Sequence, residues 1–361
     1  MRVILAGGGT AGHINPALAI ADTIKRHYPK SDFLFVGTKE GMESTLVPKA
    51  GYKIEYIKVS GFKRKVTPGN LVSVLRAARA CLKCRKIIKD FDPDIVIGTG
   101  GYVSGPLLYT AVSMKIPTLI HEQNVFAGMT SKMLGSKVDT VCISFEKSRK
   151  SFEKARNVVL TGNPLRSELF NMTHEEARRK LGLDSRPFLV TFGGSLGAGK
   201  INEIMVRYIK SSDPDKCRIL FATGNREYET VMSELRGIHK DGFDVVNYIY
   251  NMDQVMQAAD LLVCRAGAIT VSELNALGKP AVLIPSPNVT DNHQYYNAKA
   301  LSDNNAAVLI EEKNLEFESF SETVNNLLVN TGKLSEMGAN SAKMGIKNAT
   351  ELILKEIEKI I

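Results

Sequence analysis

The stretch Gly7-Gly8-Gly9-Thr10-Ala11-Gly12-His13, directly after Val3-Ile4-Leu5, and its counterpart Gly193-Gly194-Ser195-Leu196-Gly197-Ala198-Gly199, directly after Phe188-Leu189-Val190, decide the fold. Each is an apolar strand running through a glycine-rich turn into an amphipathic helix. At such a turn backbone N–H groups and the helix dipole can meet an anion, and glycine lets the backbone come close. Two of them, half a chain apart, predict two phosphate-handling α/β halves facing one cleft.

Outward from these turns, short apolar runs alternate with helical patterns: Phe33-Leu34-Phe35-Val36, Ile95-Val96-Ile97 and Thr118-Leu119-Ile120, then Ile219-Leu220-Phe221, Leu261-Leu262-Val263 and Ala281-Val282-Leu283-Ile284. That alternation predicts doubly wound parallel sheets. There is an internal echo as well, of Asp94-Ile95-Val96-Ile97 in Asp260-Leu261-Leu262-Val263 and of Ile116-Pro117-Thr118-Leu119-Ile120 in Lys279-Pro280-Ala281-Val282-Leu283-Ile284. Two Rossmann-like domains follow, with the punctuation Gly162-Asn163-Pro164 between them. The expected division is residues 1–161, residues 162–340, and a closing helix over 341–361 that crosses back to the first domain.

The chain has 361 residues, enough for about two domains, each with a core. Hydrophobic content of 44% and charged content of 24% are those of a globular protein and argue against disorder. Five scattered cysteines, and an opening Met1-Arg2 that leads straight into a strand, give the expectation of a reducing cytoplasm. No apolar run approaches the roughly 20 residues that span a bilayer. The net charge of +9 is unevenly placed, because Lys58 to Lys89 holds ten Lys or Arg and no Asp or Glu. Such an excess points to an anionic partner.

Several motifs compete at the glycine turns. Gly7, Gly9 and Gly12 fit the dinucleotide fingerprint, but the second strand ends Val36-Gly37-Thr38, without the acid that would hold a ribose. Gly194, Gly199 and Lys200 fit a P-loop, yet position 201 is Ile where Ser or Thr would hold magnesium. Ile201 instead belongs to an apolar helix face with Ile204, Met205, Tyr208 and Ile209. Asp92-Pro93-Asp94 and Asp213-Pro214-Asp215 precede their strands and read as turns. Cys81 and Cys84 form a single C-x-x-C, short of a zinc site.

His13 stands at the lip of the first crevice and is suited to general-base work at neutral pH. His121-Glu122-Gln123-Asn124 concentrates hydrogen-bonding groups after a strand. Thr270-Val271-Ser272-Glu273 reads by spacing as a capping box, although Glu273 could instead accept two ribose hydroxyls. Arg76, Arg79, Lys83 and Lys86 step at helical spacing beside an apolar stripe of Leu71, Leu75, Ala78 and Leu82. A helix packed on a core would give the same pattern. The preceding Gly61-Phe62-Lys63-Arg64-Lys65 tilts the reading toward an anionic membrane surface, and nothing resembles a nucleic-acid reader.

Taken together and in order, GGGTAGH, GTGGYVSGP, HEQN, GNPLR, GGSLGA, CRAGAITVSE and DNHQYYNA closely resemble the MurG family of peptidoglycan glycosyltransferases, of the GT-B fold and glycosyltransferase family 28. The resemblance runs through essentially the whole chain. It implies a metal-independent, inverting transfer of N-acetylglucosamine from UDP-GlcNAc to the 4-hydroxyl of MurNAc in undecaprenyl-pyrophosphoryl-MurNAc-pentapeptide, without a bound cofactor. Other GT-B activities, such as a diacylglycerol glycosyltransferase or a UDP-GlcNAc 2-epimerase, are the alternatives, and a non-catalytic sugar-nucleotide binder is another.

Residue by residue, the resemblance implies donor contacts from Thr10, Ala11, Gly12, Asn124, Arg166, Ser195 and Ile249, from Ala268, Ile269, Thr270, Val271, Ser272 and Glu273, and from Gln294. It implies acceptor contacts from Gly100, Gly101, Ser104 and Gly105, and acceptor deprotonation by His13 or Glu122, with His13 preferred. Where the family commonly shows Gln-Gln, this chain has His293-Gln294, and the role of His293 stays open. The first domain is then expected to bind acceptor and membrane, the latter through Phe62, Lys63, Arg64, Lys65, Leu71, Leu75, Arg76, Arg79, Lys83 and Lys86. The second domain is expected to bind UDP-GlcNAc. The implied place is the cytoplasmic face of the membrane, beside other cell-wall synthesis and division proteins.

Overall fold

The computed structural model describes residues 1–59, 69–194, 197–238 and 241–361; side chains within the helix that begins at Gly69 are described from Ala78 onward, and that of Thr290 is not described. Ser195, Phe62, Lys63, Arg64 and Lys65 lie outside the described residues, as do the side chains of Leu71, Leu75 and Arg76. The chain divides into two compact units, Met1–Leu165 together with Lys347–Ile361, and Arg166–Ile346.

The first unit contains β1 Arg2–Ala6, β2 Asp32–Gly37, β3 Lys53–Tyr56, β4 Ile95–Gly98, β5 Thr118–Glu122, β6 Thr140–Ile143 and β7 Val158–Leu160. These pair as one parallel sheet in the order β3-β2-β1-β4-β5-β6-β7. The second unit contains β8 Phe188–Phe192, β9 Arg218–Ala222, β10 Phe243–Val246, β11 Leu261–Cys264, β12 Ala281–Leu283 and β13 Ala307–Leu309. Their parallel sheet runs β10-β9-β8-β11-β12-β13. In each sheet the winding reverses beside the first strand, between β1 and β4 and between β8 and β11. Ligands of open α/β sheets bind at that reversal, beyond the carboxyl ends of the strands. Both glycine turns stand there.

The strands are apolar without alternation because both faces of each sheet are covered. In β1, Val3 and Leu5 join Ile14, Ala17, Ile20 and Ile24 of the helix Ala11–His27, whereas Ile4 and Ala6 join Ile87, Ile88, Leu107 and Leu108 on the opposite face. This is the two-residue period of a strand. The closing helix Ala349–Glu358 completes the first of these cores with Ile353, Leu354 and Ile357. Tyr28 donates to Glu358 at 2.7 Å and Asn157 to Glu356 at 3.2 Å, so polar edges fix the same helix.

The internal echo has a physical basis. Asp94 accepts a hydrogen bond from the backbone N–H of Arg2, which opens β1, at 2.7 Å. Asp260 accepts one from the N–H of Phe188, which opens β8, also at 2.7 Å. Each repeated aspartate ties the central pair of strands together at the end away from the ligand crevice.

In the helix Gly69–Phe91 a stripe other than that of Ala78 and Leu82 faces the core. Ala80, Cys84, Ile87 and Ile88 enter the core, whereas Ala78 is exposed and Leu82 is 70% exposed. The described part of the Leu71, Leu75, Ala78 and Leu82 stripe is therefore an outer face. Arg79, Lys83 and Lys86 are exposed with it, and Lys83 donates to the carbonyl of Tyr56 at 2.5 Å.

Candidate active site

In the second unit the loops after β8, β11, β12 and β13 surround a cavity of about 610 Å³. Its wall begins with the glycine turn. Gly194 and Gly197 have φ of 101° and 86°, the left-handed region that glycine alone enters freely. A Cβ on Gly197 would stand 2.3 Å from the carbonyl oxygen of Thr223, whereas no atom lies within 4 Å of the place a Cβ on Gly194 would take. One glycine packs the turn against β9's loop, and the other has open space beside it among the described residues outside its own chain neighbours. The helix Gly199–Ser211 then starts at the turn, with its N-terminal N–H groups beside the cavity.

Arg265 and Glu312 line the same cavity and pair at 2.5 Å, with Arg265 also donating to the carbonyl of Ile284 at 3.1 Å. Both were missed in the sequence, where Arg265 carries only the weak signal of following a strand. Ser286, Asn288 and Lys200 are further lining residues. Gln294 accepts from the N–H of Ser286 at 2.9 Å through Oε1, which leaves its NH2 as the donor to offer a ligand. Before it, Asp291 and Asn292 both hold positive φ, 54° and 50°, an arrangement that costs energy and turns the chain sharply into the helix His293–Ser302.

The helix Ala268–Leu277 starts earlier than the expected capping box allows. Its N-cap is Gly267, so Thr270 lies inside the first turn and lines the cavity, and Glu273 lies a turn deeper. The capping box of this unit is instead Thr173 with Glu176. Burial pushes the Glu273 carboxyl up to about 7, with the Arg166 guanidinium opposing it. Val271 is wholly buried and Ile249 nearly so, which leaves their backbones as the groups that can face a ligand. Ile249 sits in the loop after β10 and does not line the cavity. Ala268, Ile269 and Ser272 share the start of the helix with Thr270.

In the first unit the turn after β1 meets the turn after β4 backbone to backbone. Gly101, with φ of 77°, would place a Cβ 2.4 Å from the carbonyl oxygen of Gly8. Ser104 is buried, and its hydroxyl lies 2.9 Å from the Ala6 carbonyl and 2.7 Å from that of Gly100. Its side chain therefore ties the two turns together, while Gly100, Gly101 and Gly105 present backbone alone. The missing strand-end acid is supplied from elsewhere. Glu43, on the helix Glu43–Lys49, accepts from the N–H of Gly9 at 3.0 Å and from the N–H and hydroxyl of Thr38 at 2.9 and 2.8 Å. An internal carboxylate thus occupies the N–H of Gly9 that a phosphate would seek.

His13 lies in the first turn of the helix Ala11–His27 with its ring against Gly100, and its Nδ1 is 3.1 Å from Gln123 Oε1. Thr10, Ala11 and Gly12 form the accessible start of that helix. Glu122, the other base candidate, is 3% exposed. Its Oε1 accepts from the N–H of Asn124 at 3.1 Å and its Oε2 from the N–H of Gly128 at 3.0 Å. Both oxygens hold the loop that carries Asn124, a positioning task. Among the described residues no three His, Cys, Asp or Glu side chains converge as a metal site.

Two three-layer α/β units, each with a strand–glycine turn–helix at its winding reversal, give the chain a GT-B-like fold, the fold class of many sugar-nucleotide enzymes. The chain belongs to glycosyltransferase family 28, matching its N-terminal domain over residues 3–143 and its C-terminal domain over residues 188–353. It is 49% identical, over all of this chain and 98% of the relative, to the UDP-N-acetylglucosamine--N-acetylmuramyl-(pentapeptide) pyrophosphoryl-undecaprenol N-acetylglucosamine transferase of Acetivibrio thermocellus. The protein of the same name from Alkaliphilus oremlandii is 43% identical over all of this chain and 99% of the relative. Among solved structures, the MurG of Acinetobacter baumannii superposes with a TM-score of 0.82 at 28% identity, covering 99% of each chain. A UDP-GlcNAc 2-epimerase from Neisseria meningitidis shares the fold, with a TM-score of 0.71 at 13% identity and coverage of 99% of this chain and 100% of the epimerase.

Proposed function

We propose that this glycosyltransferase moves N-acetylglucosamine from UDP-GlcNAc to the 4-hydroxyl of MurNAc in undecaprenyl-pyrophosphoryl-MurNAc-pentapeptide, with inversion to a β(1→4) bond. The full-length likeness to relatives named for this transfer carries the reading. The second unit supplies the donor site. Glu273 accepts the ribose hydroxyls, the backbone of Ile249 meets the uracil edge, and the NH2 of Gln294 donates to a sugar hydroxyl. Ser195, the start of the helix Gly199–Ser211 and Arg265 meet the diphosphate, where positive potential favours departure of UDP. Arg166 balances Glu273. Thr10, Ala11, Gly12 and Asn124 add donor contacts, and Gly100, Gly101 and Gly105 hold the acceptor.

The chemical step is a single displacement. The acceptor O–H bond breaks and its proton passes to His13, the oxygen bonds to the anomeric carbon, and the bond from that carbon to the diphosphate oxygen breaks, its electron pair leaving with UDP. His13 is the base of choice because Glu122 already spends both oxygens on backbone N–H groups. Incubation with labelled UDP-GlcNAc and a short-chain lipid acceptor should yield the disaccharide. Failure to form it, with transfer to diacylglycerol or formation of UDP-ManNAc instead, would sink this reading.

The same reading places the enzyme on the inner, anionic leaflet. Arg79, Lys83 and Lys86 are exposed beside Leu82, and the helices Ser104–Ser113 and Met129–Gly135 carry exposed Tyr109 and Met133. Lys137 stands over the Tyr109 ring at 5.2 Å. Cations around exposed apolar groups suit acidic lipid headgroups, and no helix among the described residues is long and apolar enough to cross a membrane. Sedimentation with anionic vesicles should fall as salt rises. Binding that ignores salt, or that survives Arg79, Lys83 and Lys86 all changed to Glu, contradicts it.

A further inference from the structure

Gln123 is 2% exposed, and every group around its amide constrains which way it faces. Its Nε2 lies 2.8 Å from the carbonyl oxygen of Thr99 and 3.0 Å from that of His121. Carbonyls only accept, so the NH2 must face them and the oxygen must face His13. That oxygen is 3.1 Å from His13 Nδ1. Being an acceptor too, it requires a proton on Nδ1. The other ring nitrogen, Nε2, then carries the lone pair in neutral His13.

A second histidine locks the amide from behind. His121 Nε2 is 2.9 Å from the carbonyl of Gly162, so Nε2 carries the proton; the bare His121 Nδ1, 3.0 Å from the Gln123 NH2, shares one of the two amide hydrogens with the His121 carbonyl while the other goes to Thr99. Full burial pushes His121 down to about 4 although the Gly162 carbonyl favours its charged form, so the ring is neutral at working pH. Asn163 donates to the backbone carbonyl of Gln123 at 3.0 Å and fixes the segment further.

We propose that Gln123, oriented by His121 and the Thr99 carbonyl, is a positioning residue that holds His13 in the Nδ1–H tautomer, so that its Nε2 is the atom that takes the acceptor hydroxyl proton. This rests on His13 being the base. When Nε2 takes the proton, Nδ1 remains a donor to Gln123 Oε1, so the contact persists through the step and no proton leaves His13 by way of the amide. A carboxylate in that place would neutralise the imidazolium; an amide fixes the ring while leaving it ready to release the proton.

The test is the ring-nitrogen spectrum of neutral His13 in protein labelled with 15N-histidine, assigned by comparison with His13→Asn. The unsubstituted enzyme should show a protonated Nδ1 and an unprotonated Nε2. Gln123→Leu should shift the tautomer toward Nε2–H and lower kcat on the order of tenfold to a hundredfold, with both KM values within about twofold. An Nε2–H tautomer in the unsubstituted enzyme overturns the proposal, and that measurement needs no variant to fold. A folded Gln123→Leu enzyme with a changed tautomer but unchanged kcat overturns it as well. Full turnover by His13→Asn would instead refute the base assignment while leaving the tautomer result standing.

Discussion

Single side chains separate chemistry from scaffolding. His13→Ala should lower kcat by about a hundredfold to ten-thousandfold with thermal stability preserved. Glu122→Ala strands two backbone N–H groups and should cost about 1–3 kcal/mol, seen as a lowered melting temperature. If His13→Ala instead melts early with its remaining activity intact, the roles are reversed. Glu273 gives a pH signature. Its carboxyl is held up to about 7 by burial, so the folded chain binds a proton there that the unfolded chain releases near 4.5. The stability this represents is present in full below about 4.5 and is lost as pH rises through about 7. Glu273→Gln should therefore gain melting temperature over the parent at pH 8 and gain little at pH 4.5, while UDP binds it more weakly. Equal differences at both pH values would contradict the assignment. The sequence put His13 ahead of Glu122 and left Glu273 between a helix cap and a ribose contact; the burial and the backbone partners that separate their tasks are tertiary and were not legible in it.

At the level of elements, the strand–turn–helix units and the apolar strands were readable because their periods and glycines are local signals. Three things were not. The acid missing from the end of β2 is supplied by Glu43, whose reach back to Gly9 belongs to tertiary structure. Burial pushes its carboxyl up, but N–H groups of Gly9 and Thr38 outweigh that and hold it below its ordinary range. Glu43→Ala should cost about 1–3 kcal/mol and loosen the first turn, measured as faster amide exchange at Gly9; unchanged exchange would count against the contact. For the helix Gly69–Phe91 the sequence left a core helix as the alternative to a membrane-facing stripe, since two stripes of small and apolar residues compete and only the sheet beneath selects Ala80, Cys84 and Ile87 for the core. The apparent cap at Thr270 failed because Gly267 ends the preceding loop three residues sooner.

Across the whole molecule, one six-strand order is used twice, with a seventh strand added at the edge of the first sheet, and the paired roles of Asp94 and Asp260 show that the echo in the sequence is an echo in structure. Each unit has its own core, so their stabilities are separable. UDP at about 100 times its Kd should raise the stability of the second unit by about 2.7 kcal/mol. Removing residues 347–361 should strip Ile353, Leu354 and Ile357 from the first core, at about 1.5–3 kcal/mol for each side chain, and leave the unfolding transition of the second unit in place. Calorimetry of the shortened chain checks both, and a second transition that falls together with the first would show that the units are not independent. The returning helix also sets an order of events during synthesis. The ribosome must make all of Arg166–Ile346 before Ala349–Glu358 exists, a wait of tens of seconds at about 5–20 residues per second. Through that interval the nascent first sheet lacks part of its cover, and the second unit can finish first. A chain stalled or cut before the helix emerges carries a complete second unit and an unfinished first one, the kind of product that chaperones and proteases detect by its bare apolar surface.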